Sequence, residues 1–282
     1  MTTNPLSQAA SSMRQPTIFL PHGGGPCFFM DWTWGPADTW VPTQRFLESL
    51  AATLPATPQA ILVISGHWEQ PAFTASTAAA PELIFDYSGF PEHTYQLTWP
   101  TPGAPDLARR AAELLVQAGL PSGTSPSRGF DHGVFVPLKV AFPAATIPVV
   151  SLSLALGHDA VSFDPALHLA AGSALAPLRD EGVLIIASGM SFHNLRAYLQ
   201  PTTLPRAREF DAWLTSAVES PALVRDRLLT DWRSAPFAAF AHPREEHLIP
   251  LMVAAGAGGE GAGHRIFTDE PMGATISAYR FD

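Results

Sequence analysis

The stretch AILVIS, residues 60–65, is almost entirely apolar, and so is GVLIIAS, residues 182–188. A strand with one solvated face would alternate apolar and polar residues, so continuous runs of this kind are typical of strands buried on both faces. Such strands occur in parallel sheets that helices cover on both sides. The sequence therefore predicts an α/β fold with a mostly parallel or mixed central sheet and helices on both faces.

Strand-like and helix-like segments alternate along the chain, as this fold class requires. The predicted strands share β-branched or aromatic content and are residues 17–21, 60–65, 72–76, 94–99, 147–154, 183–187 and 275–280. The predicted helices share apolar spacing and start or stop signals and are residues 43–54, 105–118, 134–140, 165–178, 204–216, 221–226 and 243–255. We expect residues 1–15 to form a flexible N-terminal arm and residues 16–282 a single domain.

Composition restricts the class of protein and its partners. The net charge is −9 and no cluster of Lys or Arg is present, so neither nucleic acid nor a membrane surface is an expected partner. Cys27 is the sole cysteine, which excludes an intrachain disulfide framework. The first residues lack an apolar signal core, and no apolar run reaches the ~18 residues of a membrane span. We expect a cytoplasmic protein, and the composition is compatible with a homo-oligomer.

Four of the ten histidines lie near the ends of apolar runs or beside glycine. They are His22 in FLPHGGG, His67 in LVISGHWE, His132 in FDHGVFVPL and His193 in IASGMSFHNL. Ligand sites in open α/β sheets form outside the carboxyl ends of the strands, so these imidazoles are expected to converge at one edge. Imidazole is the commonest side-chain ligand for metals such as zinc and iron, which favours a metal site there.

Two neighbouring residues compete for a further ligand position in the late segment FAHPREEHLIPL. In a helix over residues 243–255, His247 shares a face with Leu251 and Ala254 and points to the apolar interior. Glu246 lies about 100° away around such a helix. It remains a rival ligand, because mononuclear iron oxygenases often combine two histidines with one carboxylate.

The HGGG segment at residues 22–25 also occurs in the oxyanion loops of α/β-hydrolases, which carry a G-x-S-x-G nucleophile motif further along. The nearest matches here, GTSPS at 123–127 and GMSFH at 189–193, do not end in glycine. No G-x-G-x-x-G dinucleotide fingerprint follows the first strand. A metal-dependent (zinc) hydrolase or a metal-binding protein remains the alternative function.

Several longer segments occur together and in order between residues 16 and 257. They are PTIFLPHGGGP, ILVISGHWE, FDYSGFPEHTYQLTWPTPGAPDLARRAAELL, RGFDHGVFVPLKVAFPAATIPVVSLSL, LAPLRDEGVLIIASGMSFHNL and FAHPREEHLIPLMVAAGA. The set resembles the class III extradiol ring-cleaving dioxygenases, the superfamily of the protocatechuate 4,5-dioxygenase catalytic subunit, in the branch similar to 4,5-DOPA dioxygenase. This resemblance implies a non-haem metal enzyme that cleaves the ring of a catechol-type substrate and inserts both atoms of O₂.

The resemblance also implies roles for individual residues. His22, His67 and His247 match the metal ligands, with histidine at a third position that is glutamate in the wider superfamily. The loss of that negative charge makes Zn(II) a competitor for the Fe(II) expected for activity. His193 matches the acid/base residue and His132 a second pocket histidine. The glycines after His22, Gly24 among them, would leave room for a flat ring, which Trp68 and Phe28 would flank.

Overall fold

The computed structural model describes residues 13–282, so most of the predicted N-terminal arm, residues 1–12, lies outside the described residues. The last part of that predicted arm contacts the fold. Gln15 is buried, and its backbone N–H donates to the carbonyl oxygen of Arg179 at 3.0 Å. In return, the Nε of Arg179 donates to the carbonyl oxygen of Gln15 at 2.8 Å. The fold therefore holds the chain from at least Gln15 onward.

Residues 13–282 contain eight strands and nine α-helices. The strands are β1 (Thr17–Pro21), β2 (Ala60–Gln70), β3 (Phe73–Ser76), β4 (Ser122–Ser125), β5 (Val149–Ala155), β6 (Val183–Gly189), β7 (His264–Asp269) and β8 (Ile276–Phe281). The helices are α1 (Val41–Ser49), α2 (Pro105–Gln117), α3 (His132–Ala141), α4 (Pro165–Leu175), α5 (Pro177–Asp180), α6 (Thr203–Val218), α7 (Ala222–Thr230), α8 (Ala238–Ala241) and α9 (Ile249–Gly258).

The strands form one mixed sheet in the order β4-β3-β5-β2-β6-β1-β8-β7. Its centre is parallel, because β2 pairs in parallel with both β5 and β6, and β6 pairs in parallel with β1. The strands β8 and β7 extend one side in antiparallel orientation. The predicted fold class, an α/β protein with a mostly parallel or mixed central sheet, is confirmed.

The side chains of β2 explain why its sequence is a continuous apolar run. Ile61 and Val63 pack on one face of the sheet in the core that α1 and α3 cover. Leu62 and Ile64 pack on the other face, in the core formed with α2, α4 and α9. All four are fully buried, and each such side chain contributes roughly 1.5–3 kcal/mol through the area it removes from water.

Two predicted elements differ clearly from the observed ones, and the strands β4 and β7 were not predicted. Residues 94–99 form no strand, since a 3-10 turn occupies Glu92–Gln96 between prolines that restrict the backbone and lack an N–H. Strand β7 was not predicted, because its residues are mostly exposed and polar and carry no apolar run. The late helix α9 begins at Ile249 rather than at residue 243, with Pro250 in its first turn, where the missing N–H costs nothing.

Candidate metal centre and active site

The parallel strands β2, β6 and β1 end at the same edge of the sheet, and they bring three histidines there. His22 directly follows β1, and its backbone N–H donates to the carbonyl oxygen of Gly189 at the end of β6 at 3.2 Å. His67 lies in the outer half of β2, within the stretch between Ile64 and Glu69 where the register with β5 shifts. His193 follows β6 in the next loop.

Two Ser-Gly pairs, Ser65–Gly66 within β2 and Ser188–Gly189 at the end of β6, let a fourth histidine approach this edge. A Cβ at position 189 would collide with the carbonyl oxygen of His247, and a Cβ at position 66 would lie 3.1 Å from the carbonyl oxygen of Glu246. The backbone N–H of Met190 also donates to the carbonyl oxygen of His247 at 3.0 Å. Glycine at these positions therefore allows the turn before α9 to press its backbone against the strand ends.

The imidazoles of His22, His67 and His247 converge through the same ring atom. The Nε2 of His67 lies 3.2 Å from the Nε2 of His22 and 3.2 Å from the Nε2 of His247. Two nitrogens bound ~2.1 Å from one metal ion are about 3.0 Å apart at a right angle and about 3.4 Å apart at the tetrahedral angle. The observed separations fall between these values, so the three side chains fit a shared metal ion.

The tautomers of these imidazoles support the same conclusion. The Nδ1 of His22 lies 2.9 Å from the carbonyl oxygen of Gly23, and the Nδ1 of His247 lies 2.8 Å from Oε1 of Glu246. Both oxygens only accept, so each Nδ1 carries the proton and each Nε2 presents a lone pair. The single Nε2 of His67 can donate to only one of them. Lone pairs that face each other at 3.2 Å repel unless a cation lies between them, as in a metal site.

The pKa values of the three histidines favour the neutral, ligating form. Burial, followed by the neighbouring imidazoles, holds the pKa of His22 and of His247 well below 6.5. Burial is also the largest influence on His67 and, with the adjacent His132, lowers its pKa to about 3 against the opposing pull of Asp86. At neutral pH each side chain is therefore uncharged and has a lone pair available.

Glu246 lies behind His247 rather than beside the converging nitrogens. Its Oε1 accepts from Nδ1 of His247 at 2.8 Å and lies 3.6 Å from Nδ1 of His193. The predicted inward orientation of His247 is observed, but the helical periodicity used to predict it was wrong, because residue 247 precedes α9. The backbone of the preceding turn, held against Gly66 and Gly189, orients the side chain instead.

His193 lies against His247, with ring centroids 3.4 Å apart and planes 18° apart. Together with Glu246, these two side chains bring their ligand atoms within 4.8 Å of one another. Burial raises the pKa of Glu246, but the adjacent His193 and the nearby Arg244 outweigh this and lower it overall. An ionised carboxylate therefore faces two imidazoles.

His132 begins α3 and is held by an acidic side chain that sequence reasoning did not assign. Its Nδ1 and its backbone N–H donate to the same Oδ1 of Asp86, at 2.8 Å and 2.9 Å. The other oxygen, Oδ2, lies 3.5 Å from Nδ1 of His67. Burial raises the pKa of Asp86, but the bonds and charge of His132 and His67 bring it down to about 2. The sequence offered one signal for Asp86, an acidic residue among the aromatic residues of FDYSGF. This segment is close to His132 in the fold but far from it in sequence.

A cavity of about 540 Å³ opens over these imidazoles. Five imidazoles form its floor, and aromatic and aliphatic residues form most of its wall. The residues that line it are His22, Gly23, Gly24, Gly25, Trp32, Trp34, Trp40, His67, Tyr87, Ser88, Phe90, His132, Met190, His193, Leu195, Tyr198, Leu199, His247 and Met272. The arrangement offers a metal-ligand set, two further imidazoles and an enclosed space for an aromatic molecule.

The structure modifies two expectations about the pocket wall. Trp68 does not line this cavity, because successive residues of a strand point to opposite sides and His67 already points inward. Trp68 instead borders a separate cavity with Arg128, whose guanidinium lies 5.0 Å from its ring. Phe28 also lies outside the lining and packs edge-on against Trp40. Gly24 does line the cavity.

The three glycines after His22 make room for the protein's own side chains. A Cβ at position 23 would lie 2.5 Å from Sγ of Cys27, and one at position 25 would lie 2.7 Å from the ring of Phe90. At position 24 it would lie 3.1 Å from the ring of Trp40. The glycines thus let the cavity wall close over His22, rather than only clearing space for a substrate ring.

Comparison with known proteins agrees with this site. Residues 16–281 match the family described as the catalytic LigB subunit of aromatic ring-opening dioxygenase. The chain belongs to this family. The sequence-based assignments to the class III extradiol dioxygenases and to ring-opening dioxygenase enzymes are therefore confirmed, whereas the hydrolase alternative finds no support in the family or in the relatives described next.

Relatives of this LigB-family chain carry names consistent with that chemistry. The 4,5-DOPA dioxygenase extradiol of Beta vulgaris is 38% identical over 94% of this chain and 96% of its own length. Dioxygenase tasH of Hapsidospora irregularis is 38% identical over 94% of this chain and 84% of its own length. The crystal structure of uncharacterized protein JW3007 from Escherichia coli K12 gives a TM-score of 0.76 at 28% identity, covering 95% of this chain and 100% of that one.

The LigB-family assignment makes the chain metal-dependent and gives it an aromatic substrate and O₂. Within residues 13–282, no helix is both long enough and apolar enough to cross a membrane.

Proposed function

We propose that the protein is an Fe(II)-dependent extradiol dioxygenase in which His22, His67 and His247 hold the metal. The observation that carries this assignment is the convergence of three Nε2 atoms, 3.2 Å apart in two pairs, while two of the opposite Nδ1 atoms donate to protein acceptors. Neutral imidazoles ligate Fe(II) and Zn(II) alike, so Zn(II) competes for the site. When bound, Fe(II) would supply a Lewis acid and a template for the catechol oxygens and O₂.

The overall reaction balances without a further reductant. The carbon–carbon bond beside the two hydroxyl groups breaks, and each of its carbons takes one oxygen atom of O₂. The four electrons that O₂ accepts come from the catechol ring itself. The protein's own task is therefore to orient the catechol and to move its hydroxyl protons.

His193 is the residue that we propose to take and return these protons. Its ring lines the cavity and lies against His247, and its Nδ1 faces Oε1 of Glu246 at 3.6 Å. A proton on Nδ1 is favoured by the carboxylate, which leaves Nε2 free to accept from a substrate hydroxyl. Imidazole suits this task because its ordinary pKa of ~6.5 lies close to neutral pH.

His132 is the second imidazole directed at the substrate. The carboxylate of Asp86 fixes its orientation through two hydrogen bonds and would stabilise a positive charge on its ring. Its Nε2 therefore has the proposed role of holding a substrate hydroxyl or a developing oxygen anion. The two imidazoles thus have separate duties, one in proton transfer and one in charge stabilisation.

Isotope labelling of the iron-loaded protein tests this function. With ¹⁸O₂ and a catechol, an extradiol dioxygenase yields a ring-opened, coloured product that contains both labelled atoms. A zinc-loaded sample serves as the matched control, since zinc has no redox chemistry and should leave the site filled but inactive. Product labelled from H₂¹⁸O alone, or no O₂ uptake with any catechol by a fully iron-loaded sample, would refute the proposal.

A further inference from the structure

We infer that the substrate is an uncharged catechol that carries an apolar substituent. This inference rests on the proposed ring-opening function and specifies which catechols the same site accepts. The first reason is the make-up of the cavity wall, in which none of the residues described above is Lys, Arg, Asp or Glu. Apart from the histidines, which the proposed metal and the catechol oxygens would engage, a carboxylate or an ammonium group on the substrate therefore has no counter-ion within the cavity.

The polar tips of the wall's aromatic residues are mostly used by the protein itself. The hydroxyl of Tyr87 donates to the carbonyl oxygen of Thr94 at 2.6 Å, and that of Tyr198 to the carbonyl oxygen of Phe192 at 3.2 Å. The Nε1 of Trp32 donates to the carbonyl oxygen of Trp34 at 2.9 Å. These residues consequently present ring surface rather than hydrogen-bond donors to a ligand.

Trp40 is the exception, and it does not change the conclusion. Its Nε1 is buried and has no hydrogen-bond partner in the part of the chain that the structure describes. A donor without exposed surface is not available to a ligand, and one neutral donor would not offset the cost of taking an ionised carboxylate out of water. The net charge of −9 also slows the approach of anions to the protein.

A cationic catecholamine meets a different obstacle. Aromatic faces attract cations, and Trp34 keeps 52% of its surface exposed, but cation–π attraction to a solvated ring is worth only ~0.5–1 kcal/mol, or about two- to fivefold in affinity. Trp34 lies 5.2 Å from Trp32 and 5.4 Å from Phe90, and Trp40 lies 5.7 Å from Trp32, as measured between ring centroids. With no carboxylate in the lining, an ammonium group would lose its hydration without a matching anion.

The size and the mouth of the cavity indicate the apolar substituent. A volume of about 540 Å³ lies within the ~300–1,000 Å³ of sites for drug-sized ligands, so it holds more than an unsubstituted catechol. Leu195 and Leu199 line the cavity and remain 72% and 57% exposed. A substituent on the catechol can bury this apolar surface, which favours binding.

The rival arrangement would use arginines outside the cavity. A neighbouring cavity shares His193 with the first and includes Arg196 and Arg244. Arg244 already donates to both carboxylate oxygens of Glu69 at 2.6 Å. Arg196 is therefore the cation that a substrate carboxylate would have to reach, and the Arg196→Gln variant tests that route.

The experiment compares caffeic acid with its methyl ester, a pair that differs in one negative charge, together with 4-propylcatechol and dopamine. Binding to the zinc-loaded protein is measured through quenching of tryptophan fluorescence, since three tryptophans line the cavity. Turnover is measured separately as kcat/KM of the iron-loaded protein. We expect the ester and 4-propylcatechol to bind at least about tenfold more tightly than caffeate and dopamine.

Variants at the cavity mouth give the matched test. Leu195→Arg should raise the affinity for caffeate relative to its ester, while Leu195→Gln, similar in length but uncharged, should not. Leu223→Arg, on α7 and 88% exposed, controls for the change in net charge. Equal or tighter binding of caffeate or dopamine by the natural protein, loss of caffeate binding in Arg196→Gln, or an unchanged ratio in Leu195→Arg overturns the inference.

The two readouts separate this inference from the proposed function. Ring opening with caffeate preferred over its ester would leave the dioxygenase proposal intact and overturn the uncharged substrate. Selective binding of the ester to the zinc form, with no O₂ uptake by the iron form, would support the uncharged substrate and overturn the dioxygenase proposal.

Discussion

Substituting the neighbouring residues Glu246 and His247 one at a time distinguishes the proposed metal ligand from the group that orients it. In His247→Ala, one of the three converging Nε2 atoms is removed. In Glu246→Gln, all three imidazoles remain and the acceptor of the 2.8 Å bond to Nδ1 loses its charge. His247→Ala therefore removes a proposed ligand atom, whereas Glu246→Gln changes only the group that is hydrogen-bonded behind it.

The expected magnitudes differ by enough to be measured. Structural zinc sites contribute ~10–16 kcal/mol from about four ligands, or roughly 3–4 kcal/mol for each ligand. His247→Ala should accordingly weaken zinc binding about 10²–10³-fold. Loss of an outer partner of a ligating histidine typically weakens binding ~10–100-fold, so Glu246→Gln should have the smaller effect.

Zinc affinity is measured by competition with a coloured chelator, which needs no turnover and no iron. His158→Ala is the control, since His158 is exposed and outside the site. Circular dichroism of each variant checks that the fold is retained. The reasoning would be refuted if Glu246→Gln bound zinc more weakly than His247→Ala, because the carboxylate would then be the ligand and the imidazole its support.

Three further outcomes are expected. His193→Ala should bind zinc nearly as well as the natural protein but lose ~10²–10⁴-fold in kcat, and metal loss equal to that of His22→Ala would make it a ligand instead. Asp86→Asn should lower kcat ~10–100-fold by releasing His132, and an unchanged rate would exclude that positioning role. His168 is fully buried, and burial lowers its pKa from 6.5 to about 4, so the unfolded chain binds its proton first and stability falls as the pH drops through this window. This effect lowers the free energy of unfolding by about 2 kcal/mol at pH 5. In urea unfolding, His168→Gln should therefore lose less stability than the natural protein between pH 7 and pH 5. Identical pH dependence of the two proteins would contradict this.

The central strands and the histidine edge could be predicted because the information is local. Apolar runs such as AILVIS mark strands buried on both faces, and an imidazole a few residues beyond such a run lies at the carboxyl edge whatever the rest of the chain does. His22 and His67 follow from this rule. Strand β7, by contrast, lies at the edge of the sheet, where pairing with β8 rather than burial selects its conformation, and its sequence carries no corresponding signal.

The orientation of His247 depends on contacts that no local pattern encodes. The sequence suggested a helix that began at residue 243, and the inward face of that helix favoured His247 over Glu246. In the structure the helix begins at Ile249, and the decisive contacts are backbone approaches to Gly66 and Gly189, which are far away in sequence. Asp86 was missed for the same reason, because its partner His132 lies 46 positions further along the chain.

The glycines after His22 connect the metal centre to the choice of substrate. The absence of a side chain at positions 23 and 25 lets Cys27 and Phe90 pack directly against the segment that carries His22. The apolar wall thus packs against the loop that carries His22. Its composition, however, is set by residues such as Trp34 and Leu195, which are not among the proposed metal ligands. Substitutions in the wall can therefore change which catechol is accepted while the imidazoles stay in place, which is why a charge introduced at Leu195 tests selectivity without disturbing metal binding.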